Sequence, residues 1–104
     1  DTAGDLFNKL AVVGADLLIE TLPSYIRGET IPKPQTDDEA TYAPRISKAD
    51  GELDFSHTAE YLARKVRAYH PWPGAFQFFN DNRIKVIQAH ALPVKCEPGH
   101  RYIY

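Results

Sequence analysis

The run His70-Pro71-Trp72-Pro73-Gly74-Ala75-Phe76 restricts this chain more than any other stretch. Each proline fixes its own φ and pushes the residue before it out of the α region, so a helix reaching Tyr69 stops there. Gly74 allows a turn, or a close backbone approach that any Cβ would block. Trp72 is the only tryptophan and sits extended between two rigid neighbours. Its indole is expected to point into the core beneath the helix. A structural corner of Pro71, Trp72, Pro73 and Gly74 would then set the angle between the helix before it and the sheet after it.

The helix before the corner starts at Ser56 or Thr58 and runs to about Tyr69, with Ala59, Leu62, Ala63, Val66 and Tyr69 as its buried stripe. Arg64, Lys65 and Arg67 project from the other side, and no acid follows Glu60 in this helix. That pattern suits a solvated face or one turned toward phosphate. After the corner, Ala75–Phe79 reads as a strand and Asn80-Asp81-Asn82 as a turn. Arg83 to Leu92 returns as a second strand, with Ile84 and Val86 on one face and Arg83 and Lys85 on the other. Glu97-Pro98-Gly99 is a further turn and Arg101–Tyr104 a third strand. So few strands leave open edges, so this part reads as an incomplete sheet.

Upstream, residues 2–27 read as helix, with Thr2 and Asp5 as a capping pair and Leu6, Leu10, Val13 and Leu17 on one face. Gly14 and Pro23 predict two or three pieces with bends, and Gly28 is placed to close the last one. Little in the next stretch could cover so apolar a segment. Glu29 to Ala43 carries Pro32 and Pro34 and no apolar period, which reads as an extended linker. Ser47 with Asp50 forms a short capping signature closed by Gly51. Leu53 and Phe55 alternate with acids as a brief strand.

Composition narrows the function. The 104 residues start at Asp1 and include no methionine, so a processed chain or a piece of a longer one is expected. No run is long and apolar enough for a membrane span, no signal-peptide pattern is present, and Cys96 stands alone. A reducing cytoplasm without a membrane partner is therefore expected. Residues 1–55 hold 5 lysines and arginines against 11 aspartates and glutamates, while residues 56–104 hold 7 against 3. Such asymmetry hints at a polyanion-binding half. No phosphate-cradling glycine loop, nucleophile elbow or HExxH occurs. His90, Cys96 and His100 match no common metal spacing, and Asp37–Glu39 reads as solvated linker. Binding or support is expected, with no catalytic residue and no metal.

The blocks Tyr42-Ala43-Pro44-Arg45-Ile46-Ser47-Lys48, Asp50-Gly51-Glu52-Leu53-Asp54-Phe55-Ser56 and Val66 through Phe76 resemble the methionyl-tRNA formyltransferase family. So does the opening, Thr2 through Leu6 with Lys9-Leu10, Gly14-Ala15 and the Leu22–Gly28 end, and the resemblance covers residues 1 to about 92. It implies an α+β chain in three parts. Residues 1–28 would be the terminal helices of a Rossmann-like catalytic domain, residues 29–41 an extended linker, and residues 42–104 the helix and antiparallel strands of an incomplete OB-like barrel. The family transfers a formyl group from 10-formyltetrahydrofolate, its co-substrate, to the amino group of initiator methionyl-tRNA. Its catalytic Asn, His and Asp would lie in an N-terminal domain missing before Asp1, so none is carried over. The part present would contact tRNA backbone through Arg45 and Lys48 on the matched block. Arg64, Lys65, Arg67 and Lys85 join them by charge placement. Relatives that formylate an amino-sugar nucleotide share the Pro-Trp-Pro-Gly-Ala-Phe corner, and formyltetrahydrofolate hydrolases and dehydrogenases carry a similar module. Those readings stay open, as do a non-catalytic RNA-binding module and the oligomeric state.

Overall fold

Asn80 and Asp81 reverse the chain with φ of 46° and 62°. Positive φ at both central residues makes a two-residue turn whose twist matches a hairpin. It joins β1 (Ala75–Phe79) to β2 (Asn82–Val86), antiparallel, with Ala75 opposite Val86 and Phe79 opposite Asn82. The computed structural model describes residues 1–94, and there the fold is α+β: helices α1 (Ala3–Ile26) and α2 (Ala59–Ala68) with this two-stranded sheet. The return strand, expected to reach Leu92, ends at Val86. Val86 pairs with the first residue of β1, so the ladder runs out of partners there. The expected turn at residues 97–99 and strand at 101–104 lie outside the described residues, as do Cys96 and His100.

The chain divides into two compact units, Asp5–Arg45 and a second of Asp1–Gly4 with Ile46 onward. In the second unit, Leu53, Val66 and Ala75 form the buried centre, with Leu62, Val86 and Ala89 packed against it. Strand alternation explains the sheet's share, because Ala75 and Val86 are paired and so point to one side. In α2 the Thr58 hydroxyl oxygen accepts the Tyr61 N–H at 3.2 Å, a side-chain N-cap. Ala63 and Val66 are buried and Leu62 and Tyr69 half-buried, as the periodicity predicts; Ala59 is exposed instead. The buried centre meets the helix at Val66, about two turns further on.

The corner forms, but not as expected at its tryptophan. Tyr69 caps α2, and its carbonyl accepts the Gly74 N–H at 2.8 Å. That bond closes the loop at its base, and the peptides before Pro71 and Pro73 are both cis. Residues at the tip of a loop closed this way face solvent, so Trp72 is 58% exposed rather than buried under the helix. The space beneath α2 is filled by Leu53, Val66 and Ala75 instead. Gly74 has φ +82° and is buried. The residue that approaches its backbone is Gly51, where a Cβ would land on the Gly74 carbonyl oxygen. Two glycines 23 positions apart in sequence thus lock a short turn onto the corner.

That turn is the expected Ser47–Asp50 cap. One Asp50 carboxylate oxygen accepts both the Ser47 N–H (2.6 Å) and hydroxyl (2.9 Å), and residues Ala49–Gly51 wind as a 3₁₀ turn. The brief strand is shorter than expected. Glu52 alone bridges to Phe76, and the Leu53 N–H donates to the Phe76 carbonyl at 2.8 Å. Asp54 then accepts the Ser56 N–H at 2.9 Å and turns the chain away, which leaves Phe55 exposed.

These two carboxyls make the unit acid-sensitive. Hydrogen bonds from Ser47 to Asp50, and from Ser56 to Asp54, favour the ionised forms and hold both below their ordinary value of 3.8. A depressed folded-state value stabilises in full above the unfolded one and loses its contribution as pH falls through the folded one. Stability is therefore expected to fall below about pH 4. In the double variant Asp50→Asn/Asp54→Asn, denaturant unfolding followed across that window should show a flatter pH dependence. An unchanged slope would remove this explanation.

The Asp5–Arg45 unit is dominated by α1, a continuous helix rather than the expected two or three pieces. Gly14 costs only propensity. Pro23 lies in the last turn, where it forfeits one backbone bond without breaking the helix. Gly28, at φ +74°, ends it as expected: its N–H donates to Tyr25 O and that of Glu29 to Ser24 O, a Schellman arrangement. No residue of α1 is buried, with Phe7 75% and Ile19 72% exposed. The stretch to Arg45 holds one 3₁₀ turn, Asp37–Glu39.

Candidate nucleic-acid interface

The cations of α2 divide between two flanks. At about 100° per residue, Arg64 and Arg67 share one flank and Lys65 falls on the opposite border of the buried stripe. Lys65 is committed to structure: its Nζ donates to the Glu52 carbonyl at 2.7 Å and lies 5.7 Å from the Tyr69 ring centroid. It ties α2 to the 52–53 segment. Arg64 and Arg67 instead line an open groove with Glu60, Ala63, His90 and Ala91. Among the described residues the Arg67 guanidinium reaches the Ala63 carbonyl, at 3.5 Å.

A second cationic place lies on the sheet face opposite Ala75 and Val86. Register puts Phe76, Phe78, Arg83 and Lys85 together there. The Arg83 guanidinium carbon rests 3.9 Å from the Phe76 ring centroid, a diagonal cross-strand contact. Phe78 meets Phe76 edge-on, with centroids 5.8 Å apart and planes at 86°. The Lys85 stem packs against Gly74, where a Cβ would be 3.4 Å from Lys85 Cε. Arg83, Lys85, Pro73, Gly74 and Ala75 line a shallow hollow of about 230 Å³.

The structure thus brings together Arg64 with Arg67, and Arg83 with Lys85. None of the four forms an ion pair among the described residues. Glu60 borders the first pair, while no acid lines the hollow of the second; like charges side by side favour an anionic ligand. Lys48 is exposed at the start of the Ala49–Gly51 turn, and Arg45 is exposed in the other unit. Arg83 is the residue that sequence reasoning places on the right face without making it a candidate contact. Its signal is a cation diagonal to an aromatic across a two-residue turn. Among the described residues no three His, Cys, Asp or Glu side chains cluster as a metal site. No helix of the described residues is long and apolar enough to cross a membrane.

Comparison with known proteins gives a consistent result. Residues 45–103 match the family model described as the C-terminal domain of formyl transferases. The methionyl-tRNA formyltransferase of Thermodesulfovibrio yellowstonii is 42% identical over 99 residues, covering 95% of this chain and 32% of that protein. Those of Streptococcus uberis and Streptococcus pneumoniae are 40% and 39% identical over the same length and with the same coverage. The chain spans about a third of the length of these curated relatives.

Proposed function

Since this chain belongs to the formyl transferase family, carrying its C-terminal domain, we propose that it is part of an enzyme that formylates the methionine amino group of initiator methionyl-tRNA. In this reading 10-formyltetrahydrofolate is the donor, the setting is cytoplasmic, and the contribution of this part is to hold tRNA. The two exposed cation pairs, Arg64/Arg67 and Arg83/Lys85, support it: none of the four forms an ion pair among the described residues, and neighbouring cations suit a polyphosphate backbone. Lys48 and Arg45 are further exposed contacts, while Lys65 acts through the fold.

Neither hollow fits a folate. Both are open and lined largely by charged or small residues, not enclosed by large apolar side chains, so none of the described residues is assigned to the donor or to catalysis. The helix α1 fits the same reading. A helix apolar on most sides is normally covered, and we assign it, within residues 1–28, to the closing part of a Rossmann-like catalytic domain. Residues 29–41 act as the linker, and residues from 42 onward begin an OB-like barrel.

Titration of initiator tRNA into the 104-residue chain tests the binding role. Six phosphate contacts predict that log K falls with log salt with a slope of about −5. A slope near zero, or no binding at low salt, contradicts it. An amino-sugar nucleotide enzyme or a folate hydrolase would show that second outcome.

A further inference from the structure

We propose that the hairpin face carrying Phe76, Arg83 and Lys85 is a stacking site for an unpaired RNA nucleotide, an inference that rests on the RNA-binding reading above. The two cation pairs differ in kind. Arg64 and Arg67 project from a helix flank and offer only charge, which suits phosphates of any strand. Arg83 is held against a ring. Its guanidinium carbon is 3.9 Å from the Phe76 centroid, and Phe76 itself is only 6% exposed. One side of the guanidinium is therefore occupied by the ring while the residue stays exposed to solvent.

A guanidinium seated over a ring leaves its other side open to a ligand, and guanidinium planes stack on bases that are free of a helix. Bases within a duplex are already stacked on each other and cannot lie on it. Phe78, half exposed and edge-on to Phe76, extends the aromatic surface by one more ring. Lys85 stands next along β2 on the same face, its stem on Gly74, within reach of the phosphate that follows such a base. Two carboxylates belong to this part of the fold: Asp81, in the hairpin turn two residues before Arg83, and Glu52, bridged to Phe76 on the side away from Lys85. Neither makes an ion pair with Arg83 or Lys85. The adjoining hollow of about 230 Å³ is smaller than the roughly 300–1,000 Å³ of pockets that enclose a whole small ligand. It suits one residue of a polymer.

The test compares wild type with Arg83→Lys, which keeps the charge and removes the plane, and with Phe78→Leu. Two probes are used: a short single-stranded RNA carrying 2-aminopurine, and a blunt RNA duplex. Circular dichroism confirms that each variant is folded. Arg83→Lys is expected to weaken the single strand about tenfold and to abolish the quenching of 2-aminopurine on binding. Duplex affinity should stay within about twofold and the salt slope should be unchanged, because the number of charges is. Phe78→Leu should weaken the single strand by a smaller factor. Equal single-strand affinity and quenching in wild type and Arg83→Lys, with the duplex still bound, overturns this inference and leaves the RNA reading standing. Failure of wild type to bind either probe removes both.

Discussion

Gly51→Ala is expected to destabilise the unit that begins at Ile46 by about 3 kcal/mol, the upper end of overpacking costs. The new methyl has nowhere to go. It lands on the Gly74 carbonyl oxygen, and its next neighbours are the Gly74 carbonyl carbon at 3.3 Å and Phe76 Cδ1 at 3.4 Å. Backbone, unlike the end of a flexible side chain, cannot step aside cheaply. Gly74 is held by its N–H bond to Tyr69 and by a φ of +82° that suits glycine alone. For a unit of this size the loss corresponds to a fall in melting temperature of roughly 12–24 °C. The same chemical change at Gly14 should do the opposite. There a Cβ meets nothing within 4 Å inside α1, and alanine is favoured in a helix interior by about 0.8–1 kcal/mol. Thermal unfolding of both variants, followed by circular dichroism, checks the contrast. Equal, small effects at both positions would show that the glycine contact does not hold the corner.

Leu53→Ala is expected to cost about 3 kcal/mol, within the range for removing a buried leucine. Leu53 is 3% exposed and packs with Val66 and Ala75 at the centre of the unit. Its backbone is fixed on both sides. The N–H donates to Phe76 O at 2.8 Å, and the carbonyl accepts Gln77 Nε2 at 2.9 Å. The cavity left by the lost side chain therefore collapses little, which keeps the cost high. Phe55→Ala, two residues on, should lose under about 1 kcal/mol, because Phe55 is 43% exposed. Denaturant unfolding measures both. A larger loss at Phe55 than at Leu53 would mean that the buried centre is misplaced.

Particular residues show what the sequence could reveal. Local rules work where the cause is local: the Thr58 cap, the Gly28 helix end, the Ser47–Asp50 turn and the two-residue hairpin all follow from neighbouring side chains. The opposite facing of Arg83 and Lys85 from Ile84 and Val86 follows from the pleat. Trp72 departs from expectation because hydrophobicity and rigidity do not give direction; a single backbone bond five residues wide, Gly74 to Tyr69, turns it outward. Gly51 reads as the end of a turn, and nothing local shows that Gly74 needs its missing side chain. Lys65 groups with its neighbours by charge, yet the Glu52 carbonyl that claims it lies 13 positions away. The cation site itself is half legible, because charge is visible in sequence and the ring beneath Arg83 is a matter of register.

The binding role is tested most directly by the salt dependence of initiator-tRNA affinity in wild type and in Arg64→Glu/Arg67→Glu. Both arginines are exposed and lack ion pairs among the described residues, so the fold should survive the change. Loss of two of six phosphate contacts should reduce the slope of log K against log salt from about −5 to about −3, with weaker binding at every salt concentration. An identical slope in the two proteins would show that this flank of α2 does not touch the tRNA.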